Sequence, residues 1–167
     1  AMDKNKAMEI LKGAILAEIK GRAFYEHTAG QTANEALRGV FATMAAEENG
    51  HVEILSKQLR SLARSGQFEA AALTAKPQDC AEGILTPQVL EQIAKAGFET
   101  AAITAAMALE EKAVAYYGQG ARDAQDPLEK EIYTWLADWE KTHLTLLTDL
   151  DRQLQERIWF DNQFWPM

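Results

Sequence analysis

The chain has 167 residues and a formal charge of −8, a length that suits one domain with a substantial core, so residues 1–167 are read as a single domain. Its acidic balance, with no Lys/Arg cluster, repels phosphate backbones and anionic lipid heads, which excludes nucleic acid and membranes as expected partners. Residues 1–12 mix charges with isolated apolar side chains, no run reaches transmembrane length, and Cys80 is the only cysteine. The expectation is a cytoplasmic protein without a disulfide or a Cys-x-x-Cys metal or redox pair.

Ala, Leu, Glu, Lys and Gln dominate, prolines number four, and no stretch alternates apolar and polar residues as a strand would, so the chain is expected to be all-α. Helical periodicity marks four long segments, at roughly 4–29, 33–64, 98–124 and 127–158. Gly30 is placed to end the first, Thr32 or Asn34 to cap the second, and Gly66 to stop it. This short link makes the first pair an antiparallel hairpin. The stretch 66–97 holds Pro77, Cys80, Gly83 and a Thr86-Pro87 start signal for a short helix over 87–96. Such a connection can cross the whole bundle and leave helix 3 parallel to helix 2, the one-crossover arrangement of ferritin-like four-helix bundles. Asp126 and Pro127 supply a cap and a first-turn proline for helix 4. The C-terminal stretch 158–167 carries Trp159, Phe160, Phe164 and Trp165, an aromatic tail expected to pack on its own bundle or on a second subunit.

Laid over itself with a shift of 92 residues, the chain repeats without a gap. Glu18, Lys20, Tyr25, Glu48 and His51 fall on Glu110, Lys112, Tyr117, Glu140 and His143. The repeat unit is a helical hairpin, and two of them give a four-helix bundle with mirrored contents. In helix 2, Phe41, Met44, Glu48, His51, Leu55, Leu59 and Leu62 follow steps of three and four and share one face; Tyr133, Leu136, Glu140, His143, Leu147, Leu150 and Leu154 do the same in helix 4. Glu-x-x-His spacing lets a carboxylate and an imidazole reach one point. Helices 1 and 3 add Glu18, beside Ile15 and Tyr25, and Glu110, beside Met107, Val114 and Tyr117.

Four carboxylates meeting in a core would be prohibitively costly uncompensated. Two divalent cations match their charge while the histidines stay neutral, which makes Glu18, Glu48, His51, Glu110, Glu140 and His143 the expected metal ligands. Mixed carboxylate and imidazole donors accept iron, manganese or zinc. Glu47 and Glu111 lie about 100° around their helices from Glu48 and Glu110, and only the latter pair keeps both the 30-residue spacing and the repeat. His27 has no counterpart, since Gln119 stands in its register, and reads as a surface or interface residue. Tyr25 and Tyr117 lie two turns beyond Glu18 and Glu110, either as core side chains or as hydroxyls that orient a carboxylate and tune reactivity.

Glu18 with Phe24-Tyr25, the Glu48-x-x-His51 pair and their repeats resemble the rubrerythrin-like branch of the ferritin-like superfamily, over about 14–154. The resemblance implies a non-haem centre of two iron ions bridged by Glu48 and Glu140, with Glu18 and His51 completing one ion and Glu110 and His143 the other. Rubrerythrins reduce hydrogen peroxide. They also carry a Cys-rich electron-donor domain, which a single Cys80 excludes here, so the resemblance implies an external electron-donor protein. Where they have an extra Glu one turn after the helix-3 ligand, this chain has Ala113, and the resulting set is similar to that of bacterioferritins and diiron oxidases. Three functions are compatible: an oxidoreductase acting on peroxide or dioxygen (peroxidase or ferroxidase), an iron-storage or iron-handling protein, and a metal-stabilised helical partner-binding module. The long crossover and aromatic tail favour a homodimer over a many-subunit cage.

Overall fold

The computed structural model describes residues 3–74, 86–88, 91 and 97–161. Its helices are α1 (Lys4–Gln31), α2 (Glu35–Ser65), α3 (Phe98–Asp123) and α4 (Pro127–Asp161), within a few residues of the expected bounds. Side chains satisfy N–H groups that the first turns of α1, α2 and α4 leave free, whereas α3 starts at Gly97 without a side-chain cap. Asp3 accepts from Asn5 and Lys6 at 3.1 and 3.2 Å, Asn34 from Leu37 at 3.0 Å, and Asp126 from Leu128 at 2.8 Å. Gly66 closes α2 with φ +73°, where glycine pays no steric penalty. Gly30, by contrast, stays helical. The end of α1 comes after Gln31, where the Thr32 N–H donates to Thr28 O in an extended conformation that needs no glycine.

α1 packs on α2 and α3 on α4, giving the expected pair of hairpins. Lys4 reaches Ala63 and Arg22 reaches Asn49, so α1 and α2 are antiparallel. Contacts between the hairpins also run in opposite order: Ile10 meets Tyr116, Tyr25 meets Glu110, and Ala33 meets Glu99. α2 and α3 therefore point the same way. After Gly66 the chain turns back along α2, where the Gln58 amide grips the Glu69 N–H and C=O at 3.1 and 3.0 Å and Phe68 is buried. The Trp135 indole N–H then holds Thr74 O at 2.8 Å. Cys80, most of the short helix expected over 87–96, and Phe164 and Trp165 lie outside the described residues. Trp159 and Phe160 stand exposed on the last turns of α4, and His27 is exposed.

The apolar stripes form two clusters, one built around Phe41, Met44, Ile103 and Leu150, the other around Leu11, Leu55, Ile132 and Leu136. Ile15, Leu59, Met107 and Val114 are partly buried; the other apolar stripe residues are buried. Along α2 and α4 the Glu-x-x-His pairs sit between these clusters, so the core is a polar layer held between two apolar ones. Leu55→Ala should cost about 2–5 kcal/mol, as expected for a leucine with no room to collapse around the cavity it leaves; urea unfolding of the variant checks this. No described helix is long and apolar enough to cross a membrane.

Candidate metal centre

All six expected ligands are buried and meet in the middle layer. They form two overlapping groups, Glu18, Glu48, His51 and Glu140, and Glu48, Glu110, Glu140 and His143, each with one donor atom per residue within 4.8 Å of the others. Both imidazoles turn Nδ1 inward. His51 Nδ1 lies 3.0 Å from Glu140 Oε1, 3.3 Å from Glu18 Oε2 and 3.9 Å from Glu48 Oε2. His143 Nδ1 lies 3.1 Å from Glu140 Oε2 and 3.3 Å from both Glu48 Oε1 and Glu110 Oε1. Glu48 and Glu140 thus each give one oxygen to each group, the disposition a carboxylate needs to bridge two cations. Glu48 Oε1, both Glu140 oxygens and His143 Nδ1 are buried without an aligned hydrogen-bond partner. Orphans of this kind are rare among buried polar groups and fit atoms that bind cations. Geometry and donor chemistry therefore both fit a pair of divalent ions.

The repeat is visible in how the tyrosines bond. The Tyr25 hydroxyl of α1 donates to Glu110 of α3, and the Tyr117 hydroxyl of α3 donates to Glu18 of α1. Each half thereby orients the lone carboxylate of the other. Burial, with the facing carboxylates, drives both phenols well above their ordinary pKa, so they remain donors. Burial also raises the Glu48 carboxyl, helped by Glu140, and lifts Glu110 to about 7. For Glu140 burial acts in the same direction, but His143 and His51 outweigh it and hold the carboxyl below its usual range. For His51 burial lowers the pKa, yet Glu140 and Glu18 bring it up to about 9; His143 is likewise raised against burial by Glu110, Glu140, Glu47 and Glu48. With no cation bound, protons on the two imidazoles offset the carboxylates, so cations entering the layer would displace protons.

Glu47 has a place that the sequence did not reveal. Turned away from the four central carboxylates, it accepts from His143 Nε2 at 2.5 Å and from the Trp139 indole N–H at 3.4 Å. Such a partner fixes the ring orientation and leaves Nδ1 facing inward. The other half lacks this device. In the repeat register Glu47 falls on Trp139, and the His51 ring meets Trp135 and Trp139 edge-on at 5.4 and 5.5 Å while its Nε2 has no hydrogen-bond partner. The signal available in the sequence was a break in the repeat, Glu47 against Trp139.

Residues 9–151 match the sequence model of the family described as Rubrerythrin. Among solved structures, a hypothetical protein from Pyrococcus furiosus is similar, with 24% identity, a TM-score of 0.66 and 90% of each chain covered; at that identity the likeness concerns the fold. No curated protein matches the chain.

Proposed function

The chain belongs to the rubrerythrin family, and from that premise we propose that it is a non-haem diiron oxidoreductase acting on hydrogen peroxide or dioxygen, of peroxidase or ferroxidase type. The observation that carries this reading is the splitting of the Glu48 and Glu140 oxygens between two four-residue groups. An iron pair held there would supply two-electron reduction of peroxide or dioxygen. The chain's own residues position that chemistry. Glu18 and His51 complete one half, Glu110 and His143 the other. Tyr25 and Tyr117 fix the outer carboxylates, and the two apolar clusters limit the approach of water along the bundle. The same donors accept manganese or zinc.

Residues 1–167 hold one cysteine and cannot build a four-cysteine electron-donor site, so the reading includes an electron-donor protein that lies outside these residues. It also includes a single crossover through 66–97, supported by α2 and α3 pointing the same way and by the retracing of α2 over 67–74. A cytoplasmic homodimer is the assembly we propose, supported by Phe160, which is 69% exposed. Iron handling without turnover is the alternative, and one experiment separates the two. Anaerobic loading with ferrous iron, then rapid mixing with peroxide or dioxygen, should give protein-dependent oxidation that repeats only when a reductant is added. Oxidation no faster than that of free ferrous iron would sink the oxidoreductase reading.

Glu47 provides a finer check. Removing a carboxylate that orients a ligating imidazole commonly lowers metal affinity by about 10- to 100-fold. Glu47→Ala should therefore weaken one of the two metal-binding steps by about that factor and spare the other. A two-step titration identical to that of the parent would mean that the contact is incidental.

A further inference from the structure

Between α1 and α3 a cavity of about 370 Å³ opens at the surface and reaches down to Glu18, Glu48 and Glu110. It exists because the facing positions are small: Ala17 and Gly21 on α1, Ala113 on α3. A Cβ at Gly21 would stand 3.5 Å from Glu48 Oε2, which shows how closely the floor adjoins the candidate metal centre. The wall is also built at Gly13, where a Cβ would lie 2.7 Å from the Tyr116 hydroxyl, itself donating to Ile10 O at 2.8 Å. Leu16 and Leu109 supply apolar surface, Leu16 being 53% exposed.

Peroxide or dioxygen explains neither the size nor the lining. Each needs the room of one or two waters, at ~30 Å³ per water, whereas this volume takes about a dozen groups of that size. It falls instead at the lower end of the roughly 300–1,000 Å³ typical of small-molecule sites. Charge narrows the class of occupant. Lys20 and Lys112, partners in the 92-residue repeat, both line the cavity, and neither makes an ion pair among the described residues. In a chain of net charge −8, two exposed lysines beside a cleft with mostly apolar walls and a floor of Glu18, Glu48 and Glu110 would suit an anionic head with an aliphatic tail.

We propose that this cavity binds a medium-chain aliphatic carboxylate of about ten carbons, its head on Lys20 and Lys112 and its tail directed at the face formed by Glu18, Glu48 and Glu110. Binding as such needs only the cavity; that the tail end reaches a redox centre rests on the function proposed above.

Isothermal titration of the full chain, metal-free and zinc-loaded, with decanoate, decan-1-ol and acetate tests it. Decanoate should bind at one per chain in both forms, decan-1-ol more weakly, and acetate not measurably. Lys20→Glu together with Lys112→Glu should weaken decanoate by about tenfold or more and leave decan-1-ol unchanged, because only the carboxylate loses a charge partner. Ala113→Phe, and independently Ala17→Phe from the opposite wall, should abolish binding of both in protein shown to be folded by its thermal transition. No saturable decanoate binding, or binding indifferent to both phenylalanines, would overturn the proposal. So would binding confined to the zinc-loaded form and insensitive to lysine reversal, which would put the head on the metals. A dimer that Ala113→Phe dissociates would identify the cavity as a contact between copies and overturn it as well. Metal content counted on the same samples separates the two readings. Two zinc ions bound without decanoate sinks only this proposal, and decanoate bound without zinc uptake sinks only the metal-centre reading.

Discussion

Glu48→Ala and Glu140→Ala are each expected to abolish the paired metal centre, reducing the metal bound from two ions per chain to one or none. Each carboxylate serves both four-residue groups through different oxygens, so one substitution removes a donor from both. Loss of residues that merely orient ligands costs about 10- to 100-fold in affinity or activity, so removal of a shared ligand should slow peroxide- or dioxygen-dependent iron oxidation by more than about 100-fold. Glu18→Ala should be milder in stoichiometry, because Glu18 belongs to one group alone. Tyr25→Phe should leave two ions bound and alter only the oxidation rate, since it frees the Glu110 carboxylate without removing it. Metal analysis and rapid-mixing oxidation on the same preparations check the series. Parent-like oxidation in Glu48→Ala would show that the reacting site lies elsewhere.

The metal-free protein is expected to lose thermal stability as pH rises from about 5 to 9, while the metal-loaded protein does not. His51 is raised to about 9 in the folded chain from an ordinary 6.5, so its stabilising contribution is complete below the unfolded value and disappears as pH rises through about 9. Glu110, raised to about 7 from 4.5, acts in the same direction over a lower window. The depressed Glu140 contributes oppositely, its share being lost only on strong acidification. Cations take over the role of the displaced protons and bind more tightly as the ligands deprotonate. The difference in melting temperature between loaded and metal-free protein should therefore widen from pH 6 to pH 8.5. Coincident melting curves at pH 8 would mean that the buried carboxylates are not a metal site.

The helices and their inward faces were legible because both depend on local regularities. Periodicity of 3.6 residues put Glu48 and His51 in the same stripe as Phe41, Met44 and Leu55, and a Glu or His within such a stripe is informative because burying it uncompensated is costly. The repeat supplied the second half of the site by the same logic. Capping chemistry placed the start of α2 at Thr32 or Asn34, of which Asn34 is the cap used, and that of α4 at Asp126, and Gly66 marked the end of α2. Gly30 misled because a glycine near a helix end permits a left-handed residue without requiring one; the extended Thr32 ends α1 instead.

What the sequence determined by itself was therefore the composition of the middle layer: four carboxylates and two imidazoles at fixed registers on four amphipathic helices, with two tyrosines nearby. Tertiary structure decided how those groups divide their atoms. Which oxygen of Glu48 faces which histidine, that Tyr25 serves Glu110 and Tyr117 serves Glu18, and that Glu47 reaches His143 all depend on contacts between residues 85 to 99 positions apart across the hairpins or on side-chain rotation within the layer. The cavity between α1 and α3 is likewise a property of the packed pair, since Ala17, Gly21 and Ala113 read in sequence as ordinary small helical residues. Periodicity fixes the face on which a side chain lies, whereas its partner is set by the relative height and rotation of two helices joined only through distant links.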